Sequence, residues 1–131
     1  AAMASQMPDD YRVWPVESPP RNAVAEPLDL ADIRNSLTSL MSRHVGVRRH
    51  GKSLQDAAQN IDRWRQYVRG WTFASPGGWE LQNMLTVARL VVEGALQRQE
   101  SRGVHFRTDF PHPDDEHWQR HLSFRIHDKS E

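Results

Sequence analysis

Apolar residues recur at spacings of three and four in three separate stretches, and this periodicity restricts the fold more than any other feature. The first stripe is Leu30, Ile33, Leu37, Leu40, Met41 and Val45. The second is Leu54, Ala57, Ala58, Ile61, Trp64, Tyr67 and Val68. The third contains Leu81, Met84, Leu85, Val87, Ala88, Leu90, Val91, Val92, Ala95 and Leu96. Such spacing places apolar groups along one face of a helix of 3.6 residues per turn. It predicts helices over about 29–44, 53–69 and 79–101.

The ends are marked. Asp29 is positioned to cap the first helix and Asp32 sits in its first turn, while Gly46 ends it. Ser53 and Asp56 make a capping-box-like start for the second, with Asp in place of the usual Glu. Gly70 and Ser75-Pro76-Gly77-Gly78 read as a loop, and Gly103 stops the third helix. That third helix is apolar on more than one face, so it is expected to be the most buried, packed by the other two and by something outside the chain. Three helices with short connections predict an all-α, up-down-up bundle, spectrin-repeat-like, over residues 28–102.

The flanks read differently. Residues 1–27 hold five of the eight prolines, Pro8, Pro15, Pro19, Pro20 and Pro27, which excludes a long helix. This is a proline-rich arm or linker in which Trp14 and Val16 are candidates to dock on the body. Residues 103–131 form an irregular tail that packs on the bundle or on a neighbouring domain. Within it, Asp109-Phe110-Pro111-His112-Pro113 is a turn, 114–121 a short helix, and 122–126 a weak edge strand.

Composition removes several function classes. Lys plus Arg and Asp plus Glu are each 17, giving zero formal net charge. A nucleic-acid partner calls for a basic excess, so none is expected. Without cysteine there is no disulfide, thiolate zinc site or cysteine nucleophile. The longest apolar run, 81–96, is broken by Arg89 and Glu93 and is shorter than a bilayer span, so no membrane insertion is expected. The absence of cysteine fits a reducing cytoplasm, and a start with neither Met nor an apolar signal core reads as a fragment of a larger protein or an added terminal scar.

Chemistry-bearing candidates are few. His117 and His121 lie four apart and share a helical face, as metal ligands do, but no third or fourth ligand is fixed by spacing and surface histidines suit the pattern better. Arg43, Arg48, Arg49 and Lys52 precede the second helix and can attract an anion, or simply lie near the first helix's carboxyl end. The densest string is Glu100-Ser101-Arg102-Gly103-Val104-His105. Arg102 can grip a carboxylate through two parallel hydrogen bonds, and His105 has the chemistry of a general acid or base. Equally, the string can be a charged helix terminus locked by ion pairs. No dinucleotide loop, phosphate-binding loop or nucleophile elbow occurs. Trp64 and Trp79 suit core or interface anchoring.

That string, followed by Thr108-Asp109-Phe110-Pro111 and Asp114-Asp115-x-x-Trp118, resembles the carboxy-terminal region of the succinate dehydrogenase/fumarate reductase flavoprotein family, which includes the L-aspartate oxidases. Glu80-Leu81-Gln82-Asn83-Met84-Leu85-Thr86-Val87-Ala88-Arg89-Leu90, Pro27-Leu28-Asp29-Leu30 and Met41-x-x-His44-Val45-Gly46-Val47 are more similar to the oxidase branch than to the dehydrogenases. The resemblance covers about residues 27–124. It implies a flavoenzyme in which FAD-binding and capping domains precede a helical domain and are this chain's partners. In the oxidases it implies conversion of L-aspartate to iminoaspartate on the way to quinolinate and NAD. The family's FAD loop and its catalytic arginine and histidine lie upstream, so no catalytic, cofactor-binding or metal residue is carried onto this chain, and FAD is expected in the full-length enzyme alone. Glu100, Ser101, Arg102, Gly103 and His105 are carried over as structural and docking residues. The matching domain of a dehydrogenase or reductase flavoprotein, partnered by an iron–sulfur subunit, is one alternative. A stand-alone helical interaction module is another.

Overall fold

The computed structural model describes residues 29–71, 73 and 76–125. The elements in chain order are α1 (Leu30–His44), β1 (Arg48–Arg49), α2 (Gly51–Arg69), α3 (Pro76–Gln97), β2 (Phe106–Arg107) and α4 (Asp115–Trp118). The chain is mostly helical. The arm of residues 1–27, with Trp14 and Val16, lies outside the described residues.

Three of the helices, α1, α2 and α4, start where a side chain satisfies a free amide. Asp29 caps α1, its carboxylate accepting from the amides of Ala31 and Asp32 at 2.9 and 3.1 Å. The expected Ser53 start of α2 is corrected: α2 begins at Gly51, behind a His50 cap whose Nδ1 accepts from Lys52 at 3.2 Å. The first turn gains a further acceptor from far along the chain, because Asp109 takes the Gly51 amide. Local capping rules do not reveal a cap donated across 58 residues.

α3 is shifted against expectation at both ends. Pro76, Gly77 and Gly78, read as loop, are helical. Proline suits a first turn, where its missing N–H leaves no bond unmade. Gly78 is buried against the Phe73 ring, where an added Cβ would lie 2.1 Å from the ring carbon Cγ. The helix stops at Gln97 rather than near 101, because its last carbonyls are captured by the tail.

The core lies between the three long helices, each of which contacts the other two. Leu37 of α1, Leu54, Ile61 and Val68 of α2, and Leu81, Leu85 and Val92 of α3 are essentially fully buried. Each such side chain contributes about 1.5–3 kcal/mol, several times any single helix-propensity difference. Packing therefore decides the register of the helices. α3 buries Leu81, Leu85, Ala88, Val92 and Ala95 on one stripe. Its second apolar stripe stays open, with Val87, Leu90 and Val91 all exposed. Trp64 packs against the core, whereas Trp79 is 55% exposed.

Two ion pairs tie the helices on the outside. Arg34 of α1 meets Glu80 of α3 at 2.8 Å, and Arg89 of α3 bridges Asp62 of α2 and Glu93 of its own helix. Exposed pairs of this kind contribute only about 0.2–1 kcal/mol each. β1 and β2 form a two-residue parallel ladder, Arg48 opposite Phe106 and Arg49 opposite Arg107, which the all-α expectation did not include. It pins the tail to the α1–α2 connection. The expected short helix shrinks to the four residues of α4, and the expected edge strand does not form over 122–125.

Candidate functional site

A helix ends with carbonyls that lack intrahelical partners, and burying them requires donors. At the end of α3 the donor is Arg107. Its Nη1 donates to the Ala95 and Leu96 carbonyls at 2.7 and 3.2 Å. The other face of the same guanidinium grips Asp109 with two parallel bonds, Nε to Oδ1 at 2.8 Å and Nη2 to Oδ2 at 2.6 Å. Asp109 in turn accepts from the Gly51 amide at 3.1 Å. A cation thus meets the negative end of α3 and an anion the positive start of α2, the polarity that helix dipoles favour. Arg107 is 3% exposed. Beside it, the Asp109 carboxyl is held far below the usual carboxylate range, chiefly by those hydrogen bonds.

Glu100 forms a second centre immediately after α3. It has no solvent exposure. A carboxylate so placed is tolerable only if its oxygens are fully occupied. Arg98 Nη1 donates at 2.5 Å, Arg102 donates from Nε and Nη2 at 3.0–3.2 Å, and the Asp114 amide donates at 2.9 Å. Arg102 extends the chain of charges to Asp115. Arg98 also donates to the carbonyls of Trp118 and Arg120, which holds α4 in place. Two guanidiniums thus face two carboxylates. The Arg102 hydrogen bonds lower the Glu100 pKa to about 2 against the opposing effect of burial, and they raise that of Arg102.

The rest of the string completes the anchor. Ser101 is buried; its hydroxyl accepts from the Arg107 amide at 2.9 Å and donates to the Phe110 carbonyl at 2.8 Å. Gly103, at φ +57°, turns the chain back so that Arg102 and His105 exchange backbone bonds. A side chain at that position would strain the backbone. His105 contacts Arg49 Nη1 through Nδ1 at 2.6 Å and the Arg98 carbonyl through Nε2 at 3.2 Å. This is the arrangement of a neutral ring protonated on Nε2. Burial, followed by the charges of the neighbouring arginines, pushes its pKa down. Arg49 itself donates Nε to the Val45 and Gly46 carbonyls at the end of α1.

The structure therefore brings all five expected residues, Glu100, Ser101, Arg102, Gly103 and His105, into one place. With Arg49, Arg98, Arg107, Asp109 and Asp115 they form an ion-paired seam joining the ends of α1, α2 and α3 to the tail. Both ring nitrogens of His105 are engaged, so no free lone pair is available for acid–base work. Of the basic run, only Arg49 enters the seam. Arg43 bonds Ser39, and Lys52 lies 3.9 Å from Asp56. His117 is bound to Asp114 rather than paired with His121. Among the described residues no group of three or more His, Cys, Asp or Glu is placed to hold a metal ion. Sequence reasoning missed Arg98 and Arg107. For Arg107 a signal existed: Arg107 and Asp109 are alternate residues of an extended segment, and so share one face.

The fumarate reductase flavoprotein C-terminal family matches residues 34–131. An L-aspartate oxidase of Rhodospirillum rubrum is 38% identical over 104 residues, covering 79% of this chain and 35% of that protein. A fumarate reductase flavoprotein subunit of Mycobacterium tuberculosis is 36% identical over 101 residues, 70% of this chain and 17% of that one. Among solved structures, the Mycobacterium smegmatis Sdh1 complex in the apo form superposes with a TM-score of 0.60 at 32% identity, over 72% of this chain and 17% of that one. The chain thus spans about a third or less of the length of these relatives. On this match it belongs to the fumarate reductase flavoprotein C-terminal family, the helical domain that closes the succinate dehydrogenase and fumarate reductase flavoproteins.

Proposed function

We propose that this chain is the C-terminal helical domain of a cytoplasmic, FAD-dependent L-aspartate oxidase, which oxidises L-aspartate to iminoaspartate for NAD biosynthesis. Its own role is structural: an up-down-up, spectrin-repeat-like bundle that docks on FAD-binding and capping domains and supplies no catalytic residue. The up-down-up course is supported by the Arg34–Glu80 pair between the starts of α1 and α3, and by Asp109 and Arg107 joining the start of α2 to the end of α3.

The observation that carries the structural role is the occupancy of the Glu100 seam. Glu100, Arg107 and His105 have the chemistry to bind an anion or move a proton, yet each is bonded within the chain. Nor do these residues fit a flavin dinucleotide, since its pyrophosphate needs free donors and the seam guanidiniums Arg49, Arg98, Arg102 and Arg107 already face carboxylates, carbonyls or a ring nitrogen. FAD then belongs to the upstream domains, and no step is routed through it here. Docking falls to the outward turn beyond Arg102, where Gly103 has no side chain and Val104 is 79% exposed.

The oxidase branch is favoured by the 80–90 run and by oxidase relatives at 37–38% identity. The test is anaerobic reduction of the flavin in the polypeptide that contains this chain. Bleaching by L-aspartate without a second subunit is expected. Bleaching by succinate, with a copurifying iron–sulfur subunit, would replace this reading by the dehydrogenase or reductase reading, which the Mycobacterium relatives favour.

A further inference from the structure

α1 and α3 leave an apolar groove between them, of ≈ 510 Å³. Leu37 and Ala88 form its buried floor, Met41 and Met84 its half-buried walls, and Val87 and Val91 its exposed rim. Open valines on a helix that already buries a full stripe call for a cover. We propose that the groove is filled by the chain's own arm, through Val13-Trp14-Pro15-Val16. This stands independently of the oxidase reading.

Three features select this occupant. First, reach: the described chain begins at Asp29, beside the first turn of α1, and Leu37 is eight residues on, or about 12 Å along the helix. The twelve residues between Val16 and Asp29 extend over as much as about 40 Å, so the tetrapeptide reaches every part of the groove. Second, length: an extended tetrapeptide measures about 10–13 Å. From Met84 to Val91 along α3 is seven residues, about 10 Å. Third, chemistry: Val13-Trp14-Pro15-Val16 is an uninterrupted apolar tetrapeptide bounded by Arg12 and Glu17. A tryptophan brings a large apolar surface, Pro15 has no amide donor to strand in an apolar site, and the residue before a proline is already biased to the extended form.

The test uses the polypeptide that contains this chain, with Trp14→p-benzoylphenylalanine, photolysed at low protein concentration and mapped by peptide mass spectrometry. Cross-links to Met41, Met84, Val87 or Val91 within one molecule are expected. Val87→Asp should cut their yield by about tenfold or more with helicity retained, because a charge on the rim resists burial beneath an apolar tetrapeptide. In a separate measurement, Trp14→Ser should speed peroxide oxidation of Met41 and Met84 by uncovering them. Cross-links to a second copy, to another surface or to nothing would overturn the proposal, as would unchanged methionine oxidation.

Discussion

Replacing Glu100 by Gln keeps the shape of the side chain and removes its charge. In the parent, one buried carboxylate accepts from two guanidiniums and a backbone amide. In the variant, one oxygen becomes an NH2 group that faces donors, so two donors confront each other in a site closed to water. Removing one partner of a buried pair costs about 3–5 kcal/mol. Here the cost is lower, because Arg98 keeps the Trp118 and Arg120 carbonyls and Arg102, 40% exposed, keeps Asp115. About 2–3 kcal/mol remains, which lowers the melting temperature of a domain of this size by roughly 8–12 °C. Acid tests the cause. The folded state lowers the Glu100 pKa from 4.5 to about 2, so its stabilisation is complete above pH 4.5 and disappears as pH falls toward 2. Thermal melts by circular dichroism should therefore show a gap between parent and Glu100→Gln that is widest at neutral pH and narrows over that acid window. A variant melting within about 2 °C of the parent at neutral pH, equivalent to less than about 0.5 kcal/mol, would refute the reasoning. So would two curves that fall in parallel.

Arg107→Met keeps the apolar stem but frees the Ala95 and Leu96 carbonyls and Asp109; a loss of about 3–5 kcal/mol is expected, with amide exchange accelerating first at the end of α3 and the start of α2. His105 has a lowered pKa, so the unfolded chain binds its proton first and stability falls as pH drops below 6.5, by at most about 1.4 kcal/mol per pH unit. His105→Gln should flatten that part of the melting-temperature profile. Gly103→Ala forces a side chain into the left-handed region and should cost about 1–2 kcal/mol in urea unfolding, with an unchanged denaturant slope.

The expected helices were largely legible because their signals are local. Asp29 caps its own α1, and the Leu81, Leu85, Ala88, Val92 stripe lies along one face whatever packs on it. The start of α2 and the end of α3 were not legible, because Gly51 is capped by Asp109 and the last turn of α3 by Arg107, contacts that exist only after the chain has folded back. The string 100–105 stood out as dense chemistry, but its letters are the same for a reactive site and a locked terminus. Burial separates the two. Closing the tail over Glu100 excludes water, and a carboxylate without water has to be bonded on every side by protein. Periodicity and charge balance thus belong to the sequence by itself, whereas Gly103, expected to stop α3, turns the chain six residues beyond its end at Gln97. The closing of the tail over Glu100 and the seating of Arg107 and His105 were decided by the tertiary structure, because the contacts Asp114–Glu100, Arg107–Ala95 and Arg49–His105, spanning 12 to 56 residues, depend on which helix ends the core brings together.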